Sequence, residues 1–107
     1  MTAEVSLESE ELAEVRAILA RRLPAGVKVH VFGSRAGGRV KPWSDLDLVL
    51  DAGVRLPDRL LAELANDFDE SRLAWKVDLV DRSAISPAFA RIVDAGKLPL
   101  PTLAAPR

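Results

Sequence analysis

Cysteine is absent from these 107 residues, which excludes disulfides, thiolate metal sites and a cysteine nucleophile. Tyrosine is absent too, so Phe32, Trp43, Phe68, Trp75 and Phe89 are the only aromatic side chains. They are not interleaved with basic residues as the stacking platforms of a single-strand binder are, and no direct nucleic-acid role is expected. Neither charge sign is in excess. Lys and Arg number 15 against 16 Asp and Glu, a formal net charge of −1, so no global positive field draws the chain to nucleic acid or an anionic membrane. No apolar run approaches bilayer-spanning length. The acidic opening, MTAEVSLESEELAEV, lacks the basic-then-apolar layout of a signal peptide. A soluble, cytoplasmic protein is the expectation.

What is present reads as one small folded domain, with 49% hydrophobic and 29% charged residues. Leu12, Val15, Ile18, Leu19 and Leu23 recur at helical spacing over Ser9–Leu23. Ser6 or Ser9 is positioned to cap that helix, and Pro24 and Gly26 to stop it. Val27–Phe32 alternates apolar and polar residues, as a strand does. A second strand covers residues 45–51, and a helix with an apolar stripe of Leu60, Leu61, Leu64 and Phe68 follows to Glu70. Ala74–Asp81 reads as a third strand. Ser83–Ala95 reads as a third helix with Ile85, Phe89, Ile92 and Val93 inward and Gly96 as its stop. In the proline-rich end, Leu98 and Leu100 either form a short edge strand or dock a partner, and residues 99–107 are expected to fray. The order predicts an α/β (α+β) fold, a small mixed sheet flanked by helices.

Within that frame the stretch Phe32–Asp51, FGSRAGGRVKPWSDLDLVLD, stands out. Residues i and i+2 of a strand share a face, so Asp45 and Asp47 project together while Leu46, Leu48 and Leu50 line the other side. Like charges held together repel unless something cationic sits between them, and carboxylate oxygens suit a hard divalent cation. At the end of the preceding strand, Gly33 lets backbone approach a ligand, and Ser34 adds a hydroxyl to amides able to bond phosphate. Arg35 is placed either to charge-pair with a triphosphate or to form a structural ion pair. Trp43 either stacks on a base or covers the rim of the core, the second being favoured. Asp78, flanked by Val77 and Leu79, needs a partner, whereas Asp81 caps the following turn. His30 is the lone histidine, and the plain reading is a partly exposed strand residue.

Gly33-Ser34, ten residues, then Asp45-Leu46-Asp47, followed by KVDLVD, resembles the polymerase-β-like nucleotidyltransferases, and specifically the minimal nucleotidyltransferases, over residues 10 to 98. The resemblance implies that Asp45 and Asp47 hold two Mg2+ ions, with Asp78 as third carboxylate, positioning or activating the acceptor hydroxyl. It implies that Gly33 and Ser34 seat the β- and γ-phosphates of ATP or another nucleoside triphosphate, with Arg35 and Lys41 as further nucleotide contacts. Gly37 stands where many relatives have arginine. Either affinity for the triphosphate is lower here, or Arg35, Arg39 or Lys41 takes over that grip.

The resemblance also implies a partner. Such transferases are commonly antitoxins of HEPN-domain toxins, to which AMP transfer from ATP is attributed. No second, acceptor-binding domain is read in the chain, so acceptor recognition is expected from another subunit or from the acceptor itself. The apolar helix faces of so small a domain suit a homodimer or hetero-oligomer. A non-catalytic antitoxin, neutralising by binding through a patch such as Leu98 and Leu100, is the alternative. Transfer to a small molecule, as in aminoglycoside-modifying relatives, is less favoured.

Overall fold

A computed structural model describes residues 4–38 and 40–101 of the chain. Its elements are α1 (Ser9–Arg22), β1 (Lys28–Phe32), a one-turn 3-10 helix (Gly33–Arg35), β2 (Leu46–Asp51), α2 (Asp58–Asp69), β3 (Val77–Asp81), α3 (Pro87–Gly96) and β4 (Leu98–Pro99). The strands form one mixed sheet in the order β3-β2-β1-β4. β1 runs antiparallel to β2 and to β4, and β2 runs parallel to β3 across the α2 crossover. This is the mixed α/β architecture expected from the pattern.

Strand alternation decides what each face does. Val31, Leu46, Leu48, Leu50 and Val77 point to one side, where Val15, Ile18 and Leu19 of α1 and Leu64 and Phe68 of α2 complete the core. The two helices are also linked at the surface by Arg22, whose Nη1 lies 2.6 Å from Glu63 and whose Nε lies 2.5 Å from Asp67. Leu48, on a central strand and fully buried, is a demanding position. Leu48→Ala is expected to cost roughly 2–5 kcal/mol through lost burial and a residual cavity, read as a lower urea midpoint with unchanged slope.

The opposite face is lined by His30 and Phe32 of β1, which pair with Val49 and Asp47 of β2, and these pair in turn with Val80 and Asp78 of β3. α3 lies over it. Phe89 meets Phe32 edge to face with ring centroids 6.0 Å apart, and Ala90, Val93 and Val49 are buried. Arg82 binds both oxygens of Asp94 at 3.2 and 2.9 Å. Together with Lys97, Arg82 holds the Asp94 carboxyl down at about 2. His30 Nδ1 is buried without a hydrogen-bond partner among the described residues, and burial, then Lys97, lowers its pKa. Half-buried in β1 beneath α3, it has the structural character expected of it.

Several boundaries differ from the sequence expectation. α1 is capped by neither Ser6 nor Ser9. Its cap is Glu8, whose N–H donates to Glu11 Oε1 at 2.9 Å. β3 begins at Val77, three residues late, because Ala74–Lys76 lie outside the strand pairing. α3 begins at Pro87, where Ser86 Oγ accepts from the Phe89 N–H and proline suits the first turn. That start turns Ile92 outward, 69% exposed, and leaves Phe89 at the rim, so neither is a core residue. At the other end β4 adds to β1, the Leu100 N–H donates to Val29 O, and Leu100 is buried. The edge-strand reading of Leu98–Leu100 holds, with Leu100 buried and Leu98 half-buried. The chain is tied down through Pro101, whose carbonyl accepts from Arg16 Nη1, while 102–107 lie outside the described residues.

Candidate active site

The site lies where β1 ends and β2 begins. Phe32 and Asp47 are register partners, so the turn that follows Phe32 comes down beside Asp47. Gly33 takes φ +76°, a left-handed conformation that glycine adopts freely. A Cβ built there would collide with Asp47 Oδ2. Two separate constraints thus require glycine at position 33. Ser34 is half-buried, and its carbonyl accepts from the Gly38 N–H at 3.0 Å, closing the loop. Gly37 has φ +87°, a conformation that is uncommon for a residue with a Cβ. Its identity fits the path of this turn.

The carboxylates gather on the α3 side of the sheet. Asp47 and Asp78 face each other across the parallel β2–β3 ladder, on strands about 4.8 Å apart. Asp45 is exposed and immediately precedes β2 rather than lying inside it. Burial, then Asp78, then Asp45 raises the Asp47 carboxyl above its ordinary value. That is the electrostatic signature of a place short of positive charge. The partner Asp78 needs is Lys76, just before the strand, Nζ to Oδ1 3.5 Å. This pair is partly exposed and contributes little to stability.

Not every expected site residue faces the ligand side. Arg35 is the main correction. It is 4% exposed, donates from Nε to Ser44 O at 2.9 Å and from Nη1 to Ser6 O at 2.8 Å, and lies 4.3 Å from the Trp75 ring centroid. It forms no ion pair among the described residues and points into the protein rather than toward a triphosphate. Lys41 is exposed, with Nζ 5.7 Å from the Trp43 ring centroid. Trp43 itself is 68% exposed, so the rim-of-core expectation fails. Arg39 lies outside the described residues. Asp81 is buried, accepting from Leu56 N–H at 2.8 Å and Ser83 N–H at 2.9 Å. It is a turn anchor, as the sequence suggested. Lys76 was not singled out from sequence, although its placement two residues before Asp78 carried the signal.

The donor set is all oxygen, which suits a hard divalent cation. Among the described residues no three His, Cys, Asp or Glu side chains converge to enclose an ion. A carboxylate pair completed by phosphate oxygens from a substrate is the arrangement these residues fit.

A glycine turn beside paired strand carboxylates, on a mixed sheet backed by helices, defines a phosphoryl-handling transferase. Residues 12–99 match the nucleotidyltransferase domain family, and the chain belongs to it. It is 40% identical over 91 residues to a probable protein adenylyltransferase, MntA, of Haemophilus influenzae, covering 85% of this chain and 79% of that one. A solved toxin–antitoxin structure with AMP-PNP is similar at TM-score 0.66 and 26% identity, over 83% of this chain and 71% of that one. Tri-AMPylated Shewanella oneidensis HEPN toxin in complex with MNT antitoxin provides a further fold match. Its TM-score is 0.63 at 24% identity, over 83% of this chain and 67% of that one. No helix among the described residues is long and apolar enough to cross a membrane.

Proposed function

We propose that this chain transfers AMP from ATP to a hydroxyl of a HEPN-domain toxin and thereby acts as its antitoxin. The observation that carries the reading is the position of Asp47, paired across the ladder with Asp78 and pressed against the Gly33 turn. Kinship with a probable protein adenylyltransferase points to the chemistry. The solved relative with AMP-PNP supports ATP as donor, and the AMPylated HEPN toxin of another fold relative suggests the acceptor.

The residues divide the work as follows. Gly33 and Ser34 seat the β- and γ-phosphates, the glycine through its backbone N–H, since the space a Cβ would take is filled by Asp47. Lys41, exposed on the adjoining loop, is the further phosphate contact in this reading. Asp45 and Asp47 are the residues to hold magnesium, two ions in this reading, with Asp78 as third carboxylate. Bound magnesium supplies a positive charge that offsets both the carboxylates and the α-phosphoryl oxygens. The acceptor oxygen bonds to the α-phosphorus, the bond to the bridging α–β oxygen breaks, and pyrophosphate leaves. Asp78 takes the acceptor proton. Such chemistry asks the protein chiefly for position and charge.

The test is an intact-mass measurement on the toxin after incubation with this protein, ATP and magnesium. One or more added AMP units are expected. An unchanged toxin mass, with the two proteins eluting together, would move the weight to neutralisation by binding. Of the patch that alternative would use, Leu100 is buried and Leu98 is half-buried.

A further inference from the structure

Arg35 is a buried cation without a carboxylate partner among the described residues, an expensive arrangement unless its hydrogen bonds serve a purpose. Both of its side-chain hydrogen bonds among the described residues go to backbone carbonyls. One is Ser44 O, immediately before Asp45. The other is Ser6 O, and the Ser6 N–H returns a bond to Arg35 O at 2.8 Å, beside the Val5–Ala36 bridge. The backbone of Arg35 is itself the end of the Gly33–Arg35 turn. A single residue therefore joins the phosphate turn, the approach to Asp45 and the N-terminal segment.

The guanidinium is backed by an aromatic ring. It lies over Trp75, whose Nε1 donates to Glu11 Oε2 at 3.2 Å, while Glu11 Oε1 caps α1 through the Glu8 N–H. Lysine keeps the charge but offers no planar fork and stacks poorly. The geometry points to Arg35 as a positioning residue that fixes the spacing between the Gly33–Ser34 turn and Asp45 without touching nucleotide. Trp75 and Glu11 complete the brace, which makes the start of α1 part of the catalytic apparatus. This rests on the transferase reading given above.

The test compares wild type, Arg35→Lys and Trp75→Phe for toxin AMPylation across ATP and magnesium concentrations. Both variants are expected to lower kcat, Arg35→Lys by about tenfold to a hundredfold, and to raise the magnesium concentration for half-maximal rate. The KM for ATP is expected to change much less than kcat. A raised KM with kcat intact would mean that Arg35 grips the triphosphate, overturning the proposal. Lower thermal stability with unaltered kinetics would reduce the brace to simple structure and overturn it too. Trp75→Phe keeps the aromatic face, so it carries the test if Arg35→Lys fails to fold. An inactive wild type would count against the transferase reading instead. The brace is then judged by calorimetry with magnesium and AMP-PNP, where weaker magnesium dependence in the variants supports it and identical titrations refute it.

Discussion

Asp47→Asn is expected to reduce AMP transfer by about a hundredfold to a thousandfold or more while leaving the fold intact or stiffer. Burial, Asp78 and Asp45 raise the Asp47 carboxyl above 3.8. A raised carboxyl holds its proton more tightly in the folded chain than in the unfolded one. Its favourable contribution is complete below the unfolded value and is lost as pH rises through the higher folded value. At neutral pH the ionised group therefore burdens the metal-free fold, and asparagine removes that burden at nearly constant shape. The melting temperature of the variant at pH 7 without divalent ions should equal or exceed that of wild type, and the difference should shrink toward pH 3. Magnesium with ATP should raise the melting temperature of wild type much more than that of the variant. Full activity in Asp47→Asn would remove this carboxylate from the chemistry.

Gly33→Ala is expected to be nearly as damaging by a different route. The φ of +76° disfavours any side chain, and the added methyl would occupy space filled by Asp47 Oδ2. Either the turn or the carboxylate must move. The backbone strain alone is of order 1–3 kcal/mol, and a displacement near 1 Å at a reacting centre costs about a hundredfold in rate. Transfer should fall by about that factor, with the loss in melting temperature smaller than for Leu48→Ala. Circular dichroism and the transfer assay together read both effects. A Gly33→Ala protein with wild-type turnover would show that the turn does not abut the working carboxylate.

Much of this site was legible because its parts are local. Asp47 and the Gly33 turn lie within one strand–turn–strand unit, and alternation puts the Asp47 carboxylate opposite the buried Leu46, Leu48 and Leu50. Asp78 comes from another element, yet its charge between Val77 and Leu79 betrayed it. The residues that escaped depend on distant chain. Arg35 reads as a triphosphate contact or an ion-pair partner until Trp75 and Ser6 fold against it. Trp43 reads as a rim-of-core residue or a base platform, and it stands exposed. Ile92 follows the apolar pattern of α3, yet the Ser86–Pro87 cap sets a phase that buries Ala90 and Val93 in its place. Leu100 looked like a loose end because a two-residue strand carries too little periodicity to announce itself.

The central claim is that this chain works by catalysis rather than by occupation, and turnover tests it most directly. Toxin in large excess over this protein, with magnesium and ATP, should gain several AMP equivalents per transferase chain, and its toxicity should fall in step. Neutralisation that saturates at one chain per toxin, with no change in toxin mass, would contradict the account.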